Sequence, residues 1–109
     1  MTRNPKLYLE DIFESLTFIK EYTATCTEEE FLQNQMLQDA VVRRIEIIGE
    51  AANRVSKDFR KEHTNIPWRE MVAMRNIIVH EYFGIDLERV WTVAKKNVPE
   101  LQQLLETLD

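Results

Sequence analysis

The sequence predicts an all-α protein, a bundle of four to five helices that packs as a dimer. Glycine and proline, which are common in the turns of sheet proteins, number only two and three among the 109 residues. Apolar residues make up 44% of the chain. They recur three and four positions apart, the period of a helix that buries one face. The length suits a single domain, which we place at residues 1–109.

The first half of the chain predicts two helices. Asn4, which is followed by a proline, suits the cap of a first helix that continues to about residue 22. Thr27 and Glu30 have the spacing of a capping box, so we expect a second, long helix over roughly 28–56. Its apolar residues form a seam for packing on another helix: Val41, Ile45, Ile48, Ala52 and Val55.

Gly49 lies inside this second helix. A glycine there costs about 1 kcal/mol relative to alanine. We therefore expect another helix to approach closely at this position, either within the chain or across a dimer.

The second half of the chain predicts a short connecting helical segment and three further helices. Residues 57–65 are rich in charge and suggest a short helix and a loop. Pro67 suits the start of the next helix, and Asp86 can cap the one after it. Pro99 then predicts the start of a short last helix.

The stretch at residues 75–82 combines a helical apolar pattern with four chemically capable side chains: Arg75, Asn76, His80 and Tyr82. An arginine in an apolar stripe needs a carboxylate, a partner surface or a phosphate. The histidine has an unperturbed pKa that suits proton transfer near neutral pH. On one straight helix, Arg75 and His80 would point about 140° apart. Either the helix ends near His80, or two subunits build the site together.

Each of these side chains also has a structural interpretation. Arg75 can form an ion pair with Glu46 or Glu50, and such a pair is compatible with a second role in binding. His80 can be a hydrogen-bonded structural histidine. Tyr82 can be a core residue with a satisfied hydroxyl group.

Four segments in chain order resemble the HEPN-domain toxins of the HepT type. The order arginine, four residues, histidine, one residue, tyrosine at 75–82 is similar to the signature of that family. Residues 40–51 resemble its second helix, 66–70 the entry to its motif helix, and 82–86 the exit from that helix. The resemblance extends over roughly residues 5 to 108.

The resemblance implies a metal-independent RNA endonuclease with its active site at a dimer cleft. Arg75 would bind the phosphate, His80 would move the proton, and Asn76 would orient His80 or donate to the phosphate. Arg43 and Arg44 would line the approach of the RNA.

The resemblance also implies a biological setting. Such proteins are toxins of type VII-like toxin–antitoxin pairs. The partner of the family is a nucleotidyltransferase antitoxin of the MntA type, which would silence the toxin by transferring AMP to Tyr82.

Composition limits the other classes of function. The net charge of −5 argues against a general nucleic-acid coat, although residues 43–75 carry a net charge of +3. That basic region is either a local groove for a phosphate chain or the solvated faces of long helices. The rival to an enzyme is a non-catalytic helical module that binds a protein or RNA.

Other sequence features indicate a protein without cofactors. Cys26 is the only cysteine, and no spacing typical of a metal site or phosphate-binding loop occurs. No apolar run approaches the ~20 residues of a membrane span, and the N-terminal residues lack the apolar core of a signal peptide. We therefore expect a cytoplasmic protein without metal, cofactor or membrane contact.

Overall fold

The computed structural model describes residues 3–76 and 86–108, and in these ranges the secondary structure is entirely helical. The helices are α1 (Pro5–Thr23), α2 (Glu28–Leu32), α3 (Gln35–Arg54), α4 (Lys57–Glu62), α5 (Trp68–Met74), α6 (Leu87–Thr92) and α7 (Val98–Leu105). A π-helical turn, Val93–Asn97, joins α6 to α7 without interruption. The predicted all-α class is confirmed.

The core lies where α1 and α3 pack against each other, with α7 covering α1 and α5 covering α3. The predicted seam of α3 is buried along its whole length, from Val41 to Val55. It meets a matching stripe of α1 whose members are fully inaccessible to solvent: Ile12, Leu16 and Ile19. Burial of these apolar faces supplies the main driving force for the bundle.

The predicted long second helix is wrong in one respect, because it is divided into α2 and α3. The capping box at its start is present, with Thr27 and Glu30 each accepting the backbone N–H of the other. The division falls at Asn34, whose side-chain oxygen accepts the N–H of Leu37 at 3.1 Å. An asparagine side chain competes for backbone donors in this way, so it starts a new helix rather than continuing the old one.

The predicted short last helix is present as α7, with Pro99 at its second position, but it is not set apart from α6. Helix continues from Leu87 to Leu105 and widens in the π-helical turn just before the proline. There the N–H of Val98 bonds to the carbonyl of Val93, five residues earlier. Because proline lacks an N–H and its ring crowds the preceding turn, a wider turn next to it allows the helix to continue.

Two side-chain contacts fix the chain between α3 and α5. The guanidinium of Arg60 donates to the carbonyls of Ala52, at 2.7 Å, and Val55, at 3.1 Å, and so caps the end of α3. The indole N–H of Trp68 donates to the carbonyl of His63 at 2.9 Å. These bonds determine where α5 begins relative to α3. Among the described residues, no helix is long and apolar enough to cross a membrane.

Candidate functional site

The structure places the start of the 75–82 motif at the end of α5. That helix ends at Met74, and Arg75 is its C-cap residue. The predicted helix through the motif is thus interrupted at Arg75, and helical backbone resumes at Asn76. Asn76 follows and is exposed. His80 and Tyr82 lie outside the described residues, so their predicted roles stay predictions.

Helix α5 holds Arg75 at the edge of the core. Its inward face carries Trp68, Met71 and Met74, which are all buried. These residues lie three positions apart, so they form one stripe toward α3. Arg75 comes directly after the last of them, and its side chain is 36% exposed. The arginine thus begins at the core and its guanidinium reaches solvent.

Gly49 of α3 is the residue on which Arg75 packs. A Cβ atom built on Gly49 would lie 2.8 Å from the Cβ of Arg75 and 3.3 Å from its backbone N. Carbon atoms do not approach so closely in folded proteins, so only glycine permits this contact. The predicted close approach at Gly49 is confirmed, and it is made within one chain. The glycine therefore gives no support to a dimer contact.

Glu50, the next residue of α3, is the charged partner of Arg75. Its Oε1 lies 3.7 Å from Nη1 of Arg75, and its Oε2 lies 4.0 Å from Nη2 of Arg54. Both distances exceed the roughly 2.7–2.9 Å of a charge-assisted hydrogen bond, so these are loose ion pairs. Of the two carboxylates that the sequence offered to Arg75, the structure selects Glu50.

The two arginines predicted to line the RNA approach face different ways. Arg43 is exposed and precedes Glu50 by seven residues, two helical turns, so both lie on one face of α3, about 10 Å apart along its axis. Arg44 instead faces α1: Nη1 lies 3.8 Å from Glu14, and the guanidinium lies 4.3 Å from the centre of the Phe18 ring. The structure thus brings Arg43, but not Arg44, to the side of α3 that carries the partner of Arg75.

A second arginine beside Glu50 was missed by the sequence reasoning. Arg54 lies one turn after Glu50 and shares its carboxylate. Its signal in the sequence was the four-residue spacing from Glu50, which places two charges together on one helix face.

Within residues 3–76 and 86–108, no three side chains of the histidine, cysteine or carboxylate type converge to hold a metal ion.

A family profile and individual relatives of the chain indicate the same class of protein. The profile of a family described as "Ribonuclease HepT-like" matches residues 12–108. A Thermococcus cleftensis protein named "Probable ribonuclease HepT" is 44% identical over 108 residues, which cover 99% of this chain and 98% of the relative. A Methanocaldococcus jannaschii protein named "Putative RNase" is 43% identical over 104 residues, which cover 95% of each.

A longer relative shares the same region. This protein of Methanocaldococcus jannaschii, named "Gamma-glutamylcyclotransferase and putative RNase", is 45% identical over 113 residues. The match covers 100% of this chain, which spans about half, 51%, of that relative. No solved structure matches the chain.

Proposed function

The chain belongs to the HepT-like ribonuclease family, and from this membership we propose that it is a metal-independent RNA endonuclease. The observation that carries the proposal is the position of Arg75. Its guanidinium is 36% exposed and only loosely paired, at 3.7 Å, with an exposed carboxylate. A guanidinium has five N–H donors in a planar fork that matches a phosphate. Arg75 is thus placed to exchange its carboxylate partner for a phosphate of RNA.

The reaction follows from the groups of the motif. The 2′-hydroxyl of a ribose attacks the adjacent phosphorus, so that a bond to the 2′-oxygen forms and the bond to the 5′-oxygen breaks. His80 takes the proton of the 2′-hydroxyl, and a proton is returned to the departing 5′-oxygen. The products are a 2′,3′-cyclic phosphate and a 5′-hydroxyl. Arg75 offsets the charge that develops on the phosphate oxygens, a contribution of about 3–4 kcal/mol in comparable sites.

The remaining site residues act around this centre. Asn76 orients His80 or donates to the phosphate, and its exposed position next to Arg75 supports this role. Arg43 contacts the chain of phosphates from the exposed face of α3. Arg44 contributes its positive charge from the neighbouring face, while its guanidinium remains over Phe18.

We further propose that the enzyme is a homodimer whose two copies share the active-site cleft. The support is the family resemblance of the motif. The proposed enzyme acts on RNA in the cytoplasm.

The proposed regulation is AMP transfer to Tyr82 by an MntA-type nucleotidyltransferase antitoxin. The tyrosine oxygen attacks the α-phosphorus of ATP, and pyrophosphate leaves. Tyr82 lies two residues after His80, so the added group would occupy the cleft. Its phosphate diester carries about one negative charge, which repels RNA and competes for Arg75.

A matched pair of substrates tests the reaction. The purified protein is incubated with an RNA oligonucleotide and with a DNA oligonucleotide of the same sequence. We expect cleavage of the RNA alone, with 2′,3′-cyclic phosphate ends detected by mass spectrometry. Equal cleavage of the DNA would refute attack by the 2′-hydroxyl. Binding of RNA without cleavage would favour the non-catalytic module.

A further inference from the structure

We propose that Gly49 and Glu50, neighbours on α3, are positioning residues for Arg75. The glycine fixes where the arginine side chain begins, and the glutamate holds its guanidinium until a phosphate of RNA replaces the carboxylate. The proposal rests on the phosphate-binding role of Arg75 proposed above. The two residues together are called the positioning pair.

Gly49 acts through the backbone. The Cβ and Cγ of Arg75 lie 2.8 and 3.3 Å from the position that a Cβ of residue 49 would occupy. A Cβ atom is fixed to its own backbone, so a larger residue at 49 displaces the end of α5 rather than a flexible side chain. Gly49 is buried, and α3 is anchored by the core seam around it. The position of α3 therefore determines the position of Arg75.

Glu50 acts on the other end of the same side chain. Arginine has several rotatable bonds, so its partly exposed guanidinium loses rotamer freedom when it is ordered. A carboxylate 3.7 Å from Nη1 restricts that freedom before substrate arrives. The pair is too exposed to stabilise the fold much, since ion pairs in contact with solvent contribute little to folding stability. Its effect therefore falls on the orientation of Arg75 rather than on folding.

Replacement of the Glu50 carboxylate by a phosphate on Arg75 costs little free energy, for two reasons visible in the structure. Glu50 is 56% exposed, so water solvates its carboxylate when Arg75 leaves. Arg54 already lies 4.0 Å from the same carboxylate and remains as a partner. A dianionic or diester phosphate that binds Arg75 in a bidentate manner forms shorter bonds than the 3.7 Å pair that it replaces. The carboxylate thus orders the arginine without blocking it.

Steady-state cleavage of a fluorescent RNA tests Glu50 against a matched control. We expect Glu50→Gln to lower kcat about two- to fivefold, the most that the loss of an exposed ion pair of this kind can cost. KM should not rise, because one negative charge near the RNA is removed. The control is Glu46→Gln, which removes the same charge one turn earlier on α3. Among the described residues Glu46 forms no ion pair. Equal kinetics for the two variants would overturn the proposal.

A double-mutant cycle separates action through Arg75 from a merely structural effect. If Glu50 positions Arg75, then Glu50→Gln should change kcat by less than about 1.3-fold in an Arg75→Ala background, since interacting sites are not additive. The full two- to fivefold loss in that background would mean that Glu50 acts by another route.

The signal of the Arg75 side chain tests the proposal without reference to RNA cleavage. In ¹⁵N NMR of the full chain, the Nε–H resonance of Arg75, assigned by its loss in Arg75→Lys, should shift in Glu50→Gln and not in Glu46→Gln. Inorganic phosphate should move it further toward one bound position in wild type. An unchanged Arg75 resonance in Glu50→Gln would refute the positioning role. A wild-type protein that cleaves no RNA, but whose Arg75 resonance follows Glu50, would refute the proposed function while supporting the positioning pair.

Gly49→Ala tests the other member of the pair. Alanine has a higher helix propensity than glycine, so a folded variant is expected if α5 shifts to admit the methyl group. Circular dichroism verifies the fold, kcat should fall about a hundredfold, and the Arg75 resonance should move. Folded Gly49→Ala with wild-type kcat and an unmoved resonance would contradict the role of the glycine.

Discussion

Replacing Arg75 with alanine should separate activity from stability. The substitution removes the guanidinium that we place on the phosphate. It keeps the Cβ of residue 75, which lies so close to Gly49 that a Cβ built on the glycine would be only 2.8 Å away. The close contact between α3 and the end of α5 therefore survives. The variant should fold as wild type does and cleave RNA far more slowly.

The two magnitudes follow from the exposure of the side chain and from its charged contact. The ion pair with Glu50 joins side chains that are 36% and 56% exposed, and at 3.7 Å it is loose. Pairs of that kind contribute about 0–1 kcal/mol, so the melting temperature should fall by less than about 5 °C. Loss of a donor that stabilises developing charge costs about 10²- to 10³-fold in kcat, or roughly 3–4 kcal/mol. The effect on catalysis should thus exceed the effect on stability by several-fold.

The assay compares Arg75→Ala with Arg54→Ala at equal concentration. Arg54 also pairs with Glu50 and is 64% exposed, so its removal changes the net charge and the surface pairing in a similar way. Thermal unfolding gives the stability of each variant, and cleavage of a fluorescent RNA gives kcat. Wild-type kcat in folded Arg75→Ala would refute the phosphate-binding role. Equal losses in both variants would mean that general positive charge, and not Arg75 itself, is responsible.

Four further outcomes are expected. EDTA should leave RNA cleavage within about twofold of its untreated rate, because the proposed groups act without a metal; a loss that a divalent ion restores would contradict this. Sedimentation velocity at micromolar concentration should show a dimer, and an undiminished rate in a monomer would exclude a shared cleft. Co-expression with the cognate nucleotidyltransferase should add AMP to Tyr82 and sharply reduce RNA cleavage, whereas Tyr82→Phe should escape modification. Loss of RNA cleavage without added mass at Tyr82 would mean that the nucleotidyltransferase inhibits by binding alone. Arg60→Ala should lower the free energy of unfolding, measured by denaturant titration, by about 1.5–3 kcal/mol, because it removes charged hydrogen bonds to the carbonyls of Ala52 and Val55. An unchanged denaturation midpoint would refute the capping role of Arg60.

The sequence predicted the fold well where the helical period was strong. The seam from Val41 to Val55 and the capping box at Thr27 are both present as expected. The errors fell at single polar or special residues. Asn34 starts a new helix because its side chain takes a backbone donor, and the π-helical turn before Pro99 joins two helices that the sequence predicts as separate. The helical period of apolar residues does not predict such local changes, since each depends on how one residue affects the backbone hydrogen bonds next to it.

The candidate site was predictable in part. The motif pointed to Arg75, and the glycine inside α3 signalled a close approach. That these two features belong to one contact depends on how α5 packs on α3, which residue spacing does not encode. Residue spacing likewise does not encode the surroundings of Arg44, which faces another side of α3 than its neighbour Arg43. Its contacts with Glu14 and Phe18 arise only when α1 packs against α3.

The most direct test of the proposed ribonuclease is cleavage of one RNA oligonucleotide by the wild-type protein and by His80→Ala. Both proteins are purified in the same way, shown to be folded by circular dichroism, and assayed in the presence of EDTA. If His80 moves the proton, wild type should cleave the RNA and leave 2′,3′-cyclic phosphate ends, and His80→Ala should lose at least about 10²-fold in rate. Cleavage at the wild-type rate by folded His80→Ala would contradict the proposed mechanism.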